Sequence, residues 1–161
     1  MSGVLTGLGG AEQIVLWQRL PGAHWRRAGQ ATTNSAGGYL ITLANGKVKT
    51  NRDWYVAGDG LNSPMLREGV AAVVTLAVSP TTHLIHGAVT PSHAGEHVLF
   101  QLLRHDRWVT LAQPLLGQRS HFRVGSLHPS VSRGTVRAVF LGDARNIRSV
   151  SPVLTADFAR S

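Results

Sequence analysis

The chain has 161 residues, 43% of them hydrophobic, with 16 Lys and Arg against 8 Asp and Glu for a formal net charge of +8. It holds no cysteine, which excludes disulfides, thiolate nucleophiles and cysteine-held zinc together. No apolar run reaches the ~20 residues that a membrane-spanning helix needs, and Met1-Ser2-Gly3-Val4 has neither the basic nor the apolar region of a secretory leader.

In chain order the apolar runs are short and alternate with polar residues, as strands do. The first half offers Val15–Gln18, Gly38–Leu43 and Trp54–Ala57. The second offers Ala72–Val78, His83–His86, Val98–Leu103, Trp108–Leu111, His121–Val124 and Val136–Phe140. Turn residues separate them: Leu20-Pro21-Gly22, Asn34 to Gly38, Asn45-Gly46, Gly58-Asp59-Gly60, Thr90-Pro91 and His105-Asp106. No stretch has a capped 3.6-residue period, so the predicted class is all-β. Side chains alternate across a strand. That places Val98, Phe100, Leu102, Phe122, Val124, Val136, Ala138 and Phe140 inside, with Val15 and Trp17 as inward counterparts in the first half.

The chain also repeats itself. Ala11, Val15, Trp17, Gln18, Trp25, Tyr39 and Ile41 return 83 residues later as Ala94, Val98, Phe100, Gln101, Trp108, Phe122 and Val124. Gly58-Asp59 returns as Gly142-Asp143 and Ser63-Pro64 as Ser151-Pro152, with the offset drifting as loops change length. The expected organisation is two tandem β-sandwiches, residues 1–70 and 71–161, each above the ~55–65 residues at which many domains fold alone.

Gly87-Ala88-Val89-Thr90-Pro91, Ala94-Gly95, Val98-Leu99-Phe100-Gln101, Trp108, Phe122, Val136-Arg137-Ala138 and Ser151-Pro152 together resemble the immunoglobulin-like, fibronectin type III-like repeats of bacterial, especially actinobacterial, surface and secreted proteins. The resemblance spans most of both halves and implies a sandwich fold, a cell-surface or extracellular setting and a structural or adhesive role. It also exposes an asymmetry. The second half has a strand, Val73 to Val78, ahead of its Gly87-x-Val89 strand, whereas the counterpart Gly3-Val4-Leu5 has none. Gly3, Val4 and Leu5 are therefore either an open sheet edge, a place for strand addition or self-association, or, where the chain is a piece of a longer one, an edge that an upstream segment covers.

Residues with chemistry are scattered. His83-x-x-His86 and His93-x-x-x-His97 lie close in sequence, but a separation of three on a strand puts side chains on opposite faces, and no zincin helix is expected there. Gly7-Leu8-Gly9-Gly10 lacks the Lys-Ser/Thr of a phosphate loop. There is no Gly-x-Ser-x-Gly elbow, and the few carboxylates show no acid–base spacing. No catalytic residue, metal ligand or cofactor is assigned.

The basic residues are almost all arginine, the exceptions being Lys47 and Lys49. Their densest groups, Arg26-Arg27, Arg104/Arg107 and Arg145/Arg148, are the candidate polyanion contacts. No block of five or six exists, so a nucleic-acid-binding arm is not indicated. Two functional classes follow. One is a non-catalytic spacer, adhesion or assembly module, with a virion surface protein as a variant. The other is a module binding an anionic polysaccharide, for which Trp25, Trp54 and Trp108 are candidate contacts.

Overall fold

All regular structure in this computed structural model is β, and all strand pairing within the sheets is antiparallel. The residues described are 1–6, 11–44, 46, 48–79, 82, 84–125 and 133–157. The chain divides into two units, Met1–Val70 and Ala71–Ser161.

The first unit contains β1 (Ser2–Val4), β2 (Gln13–Arg19), β3 (Arg26–Thr32), β4 (Gly38–Leu40), β5 (Arg52–Gly58), β6 (Leu61–Asn62) and β7 (Leu66–Glu68). β1 pairs with β4, and β3-β2-β5 form the second sheet, with β6 and β7 both on the free side of β5. Ile14, Leu16, Trp54 and Val56 of the larger sheet pack with Ile41, Leu5 and Tyr39 of the smaller. Two sheets closing on one core make a β-sandwich.

The second unit contains β8 (Val73–Val78), β9 (Ile85–Thr90), β10 (Val98–Arg104), β11 (Arg107–Ala112), β12 (His121–Val124), β13 (Arg133–Phe140), β14 (Ser149–Val150) and β15 (Leu154–Asp157). One sheet runs β12-β9-β8; the other runs β11-β10-β13, with β14 and β15 along β13. Val74, Ile85, Val89, Phe122 and Val124 face Val98, Phe100, Leu102, Val136, Ala138 and Phe140 across the core. Burying one such side chain contributes about 1.5–3 kcal/mol.

The units match strand for strand, β1 to β7 against β9 to β15. Leu16 pairs with Val56 as Phe100 pairs with Ala138, so the larger Phe faces the smaller Ala and core volume is kept. β2 and β3 shift register after Leu16, and β10 and β11 after Phe100. Gly3 lies across from Tyr39 as Gly87 lies across from Phe122. A Cβ on Gly3 would sit 2.8 Å from Tyr39 Cζ, and one on Gly87 2.5 Å from Phe122 Cζ. The Ser-Pro corner also recurs. Ser63 Oγ accepts the Val56 N–H at 2.9 Å and donates to Pro64 O; Ser151 Oγ accepts the Ala138 N–H at 3.0 Å and donates to Pro152 O.

Four expectations are corrected. Val15 and Trp17 do not face inward: Ile14 and Leu16 do, and the true offset along β2 is 84. Apolar residues occupy both faces of Ile14-Val15-Leu16-Trp17, so alternation could not choose between them, and Trp17 stacks outside on Tyr55 instead. Gly58-Asp59 is not the counterpart of Gly142-Asp143. Gly58 corresponds to Phe140, because Gly58 pairs with Leu61 and Phe140 with Ser149. The first turn is the tight pair Asp59-Gly60, both at positive φ; the second is a longer loop, residues 141–148. The expected strand over His83–His86 begins at Ile85 and runs to Thr90, with His83 outside the described residues. The first-half strand from Gly38 ends at Leu40 instead of Leu43. β3 gave no strand signal, since Arg26-Arg27-Ala28-Gly29-Gln30-Ala31-Thr32 is largely exposed and has no apolar alternation.

Candidate functional site

The units differ most at β1. Backbone bonds from Met1 to Ile41 O, Ile41 to Met1 O and Leu5 to Gly37 O turn the odd-numbered amides of this strand toward β4. In an antiparallel ladder the intervening residues point the other way, so the N–H and C=O groups of Ser2 and Val4 face away from β4. Among the described residues no strand meets that edge. At the equivalent place β9 pairs with β8 over six positions, Val73 with Thr90 through Val78 with Ile85.

The consequence is visible in burial. Ile85 is 3% exposed, whereas its counterpart Met1 is 40% exposed; Val4 and Leu40 are 65% and 67% exposed. A cleft of about 750 Å³ opens beside this edge, lined by Met1, Leu16, Ile41, Leu43, Trp54 and Leu66 among others. Its polar end is built. The Trp54 indole donates to Glu68 Oε2 at 2.7 Å. Arg52, itself buried, donates from Nη1 to Gln18 Oε1 at 2.7 Å and from Nε to Thr50 O. Burial lowers the Arg52 pKa, and the Glu68 charge works against that. Trp54 is thus a core residue, not an exposed carbohydrate contact. Gly3, Val4 and Leu5 lie where the sequence placed them, Gly3 and Val4 on β1 and Leu5 just beyond it.

The second unit carries a buried polar cluster that the sequence did not announce. His93 is fully buried. Its Nδ1 lies 2.8 Å from Asp143 Oδ2 and its Nε2 3.1 Å from Asn146 Oδ1. Arg145 Nη2 lies 3.3 Å from the same Nδ1. The His93 backbone N–H donates to Ser120 Oγ, which also bonds Ser92 Oγ at 3.0 Å. Burial pushes the Asp143 carboxyl up, but hydrogen bonds from the Asn146 amide, the His93 ring and the Arg145 amide outweigh it and hold the group below its usual value. Serine, histidine and aspartate meet here, yet neither Ser hydroxyl bonds the ring and both ring nitrogens are engaged. The cluster ties the 141–148 loop to the body of the unit. Only the long loop makes it, which is why the tight Asp59-Gly60 turn has no equivalent.

The other described histidines do not join it. His97 Nδ1 bonds Gln113 O at 3.1 Å, and His86 is exposed on β9. Among the described residues no group of three His, Asp or Glu is placed to hold a metal ion. The Gly7-Leu8-Gly9-Gly10 run lies outside them.

The arginines are spread rather than gathered. Arg26 and Arg27 are exposed on β3. Arg104 and Arg107 pair at the tip of the β10–β11 hairpin, flanking His105-Asp106. Arg145 is turned onto Asp143. Arg148 lies close enough to Arg137 for its charge to add to the burial that lowers the Arg137 pKa. Arg137, which the sequence did not single out, lies 4.0 Å above the Trp108 ring and donates to Gln101 Oε1. In the first unit Arg19 lies over Trp25, which meets Tyr55 edge-on. Each outer sheet face therefore has a half-buried Trp capped by a cation, an interaction contributing about 0.5–1 kcal/mol at exposed sites.

No family model matches the chain, and no curated protein matches it. Among solved structures it is similar to a tetra-tandem repeat in the extending region of a large adhesion protein, at 17% identity and a TM-score of 0.46. That match covers 97% of this chain, which spans 44% of the other chain's length. A likeness at that level carries no inference about function.

Proposed function

We propose that the chain is a non-catalytic tandem β-sandwich module of the immunoglobulin-like kind seen in actinobacterial-type surface repeats, a spacer, adhesion or assembly element at a cell surface or in a secreted protein. The observation that carries the reading is the strand-for-strand duplication, in which even the Ser63 and Ser151 corners repeat while the one fully buried histidine among the described residues is spent on holding a loop. Pulling single molecules of the chain by their ends tests it. Two separate unfolding events are expected, releasing about 230 and 300 Å at ~3.3 Å per residue. One merged event would remove the tandem-module reading. So would a catalytic turnover that a single substitution abolishes without changing the melt.

A second reading, an anionic-polysaccharide contact, is favoured by exposed Arg26 and Arg27 and by Arg148 beside the Trp108–Arg137 stack. Replacing Arg26 and Arg27 by Gln would then shift elution from heparin or teichoic acid to lower salt. Failure of the parent chain to be retained at low salt would sink this reading.

A further inference from the structure

The duplication supplies a control for the outer face of the first unit's larger sheet. Ile14 and Leu16 point into the core, so Val15, Trp17 and Arg19 of β2 point out, and residues directly across in neighbouring strands share that face. Trp17 therefore stands between Tyr55 on β5 and Arg27 on β3, and Arg19 stands beside Asp53. The Trp17 and Tyr55 rings are parallel to within 7° with centroids 6.2 Å apart. Trp25 meets Tyr55 edge-on at 4.7 Å. All three residues are partly exposed.

In the second unit the positions equivalent to Trp17 and Tyr55 are Gln101 and Arg137, paired in the same register and joined by a hydrogen bond of 2.9 Å. The element common to both units, a Trp capped by an arginine, is kept there without the ring pair. The fold therefore does not need aromatic residues at these two outward positions, and what the face meets becomes their explanation.

The surroundings specify the chemistry. Asp53 accepts from Arg19 at 2.8 Å through Oδ2 and from Arg67 at 3.2 Å through Oδ1. The Arg67 side chain stays 78% exposed. With Arg27 the face sets three arginines against one carboxylate, and Gln30 lies across from Val15 beside them. Hydrogen-bonding groups interleaved with rings suit sugar hydroxyls and an acid group, whereas the core of a protein interface is depleted of charge. Asp53 amid the arginines opposes a nucleic-acid strand, which carries a negative charge at every nucleotide.

We infer that this outer face binds an acidic glycan in which charged and neutral sugars alternate. One sugar ring packs its C–H face on the Trp17–Tyr55 pair against Trp25, meeting the negative faces of the rings. Arg27 on one flank and Arg67 on the other take the carboxylates of adjacent sugars, as guanidinium groups do in charge-assisted pairs. The inference rests on the anionic-polysaccharide reading and gives it a place.

Calorimetric titration of the whole chain with a hyaluronan octasaccharide, in which acidic and neutral sugars alternate, tests this. Saturable binding that weakens with salt is expected. The decisive variant is Trp17→Gln with Tyr55→Arg, which installs the pair that the second unit already folds with and adds a positive charge. It is expected to weaken binding by about tenfold or more, some 1.4 kcal/mol, with the melt retained. Trp17→Gln alone, the milder change, is expected to weaken it by about threefold or more. Arg27→Gln with Arg67→Gln is expected to weaken it and to flatten the salt dependence. A neutral chitin hexasaccharide is expected to bind about tenfold more weakly than the octasaccharide. No binding of the octasaccharide overturns the proposal, as does equal binding of the neutral oligomer. Undiminished or tighter binding by the Trp17 and Tyr55 variants overturns it too, since charge alone would then hold the ligand. Tighter binding of a thymidine octanucleotide, lost in those variants, would make the occupant a nucleic-acid strand and overturn it as well. If the platform variants bind undiminished, the site falls and the polysaccharide reading stands on charge; if the parent chain binds neither the octasaccharide nor heparin at low salt, both fall.

Discussion

Ile85 and Met1 hold the same place in the two units, yet one is sealed in the core and the other half open. The difference is one strand. β8 covers the edge of β9 and shields Ile85, Val89 and the core behind them. With no equivalent among the described residues, the first unit has a smaller buried core and places a single large residue, Trp54, where the second unit has Val136. It also admits polar groups, Gln18, Arg52 and Glu68, to the end where the second unit buries Leu102. The second unit in turn uses its longer loop to enclose His93. The cluster can be enclosed because each buried partner in it is satisfied.

Core truncation should separate the units most strongly. Phe100→Ala is expected to cost the second unit about 3–5 kcal/mol. Leu16→Ala, at the equivalent place, should fall nearer the lower end of the ~2–5 kcal/mol range, because side chains lining the cleft can move into the space. Urea unfolding followed by fluorescence reads both, since Trp17, Trp25 and Trp54 report the first unit and Trp108 the second. Equal losses would break the comparison.

Next in size is His93→Leu. It leaves the buried Asn146 and the partly buried Asp143 without their ring partner and is expected to cost about 2–3 kcal/mol, confined to the second unit. The pH dependence has a definite sign. The Asp143 carboxyl lies below its unfolded value of about 3.9, so its stabilisation is complete above that value and fades as pH falls through the folded one. Asp53 in the first unit behaves alike, lowered chiefly by the Arg19 hydrogen bond and further by Arg67, against burial. Asp143→Asn should therefore remove acid sensitivity from the Trp108 signal and leave that of the first unit unchanged.

The glycines sharpen the contrast at the edge. A Cβ on Gly87 would strike both the Phe122 ring and the Thr75 carbonyl of β8, and Gly87→Ala should cost about 1–3 kcal/mol. Gly3→Ala meets only the Tyr39 side chain, beside an open edge, and should cost less than about 1 kcal/mol. Thermal melts of the two variants decide this. Expected equal between the units are Ser63→Ala and Ser151→Ala, each about 1 kcal/mol for one corner hydrogen bond. A clear inequality would mean that the corners are alike in geometry only.

The strand class, the duplication and the boundary near residue 70 could be read from alternation, turn residues and recurring pairs such as Trp25 with Trp108. The failures to assign a buried face share one cause. Val15-Leu16-Trp17 is apolar on both faces, and β3 on almost neither, so local pattern held no information about which side is buried. The stacking of Arg137 on Trp108 depends on a neighbour 29 positions away in sequence.

The sequence by itself determined that this protein is built from short strands, that it is built twice, and that a further strand, Val73 to Val78, stands ahead of the Gly87-x-Val89 strand. Those properties are written in side-chain period and chain order, which local sterics and hydrophobicity enforce. Only the tertiary structure decided that Leu16 rather than Trp17 enters the core, that His93 is enclosed by Asp143 and Asn146 from some fifty residues away, and that a cleft stands where β8 has no counterpart. Each of those depends on which distant backbone comes alongside, and the energy of that contact is set by the packing of both partners rather than by either stretch of sequence alone.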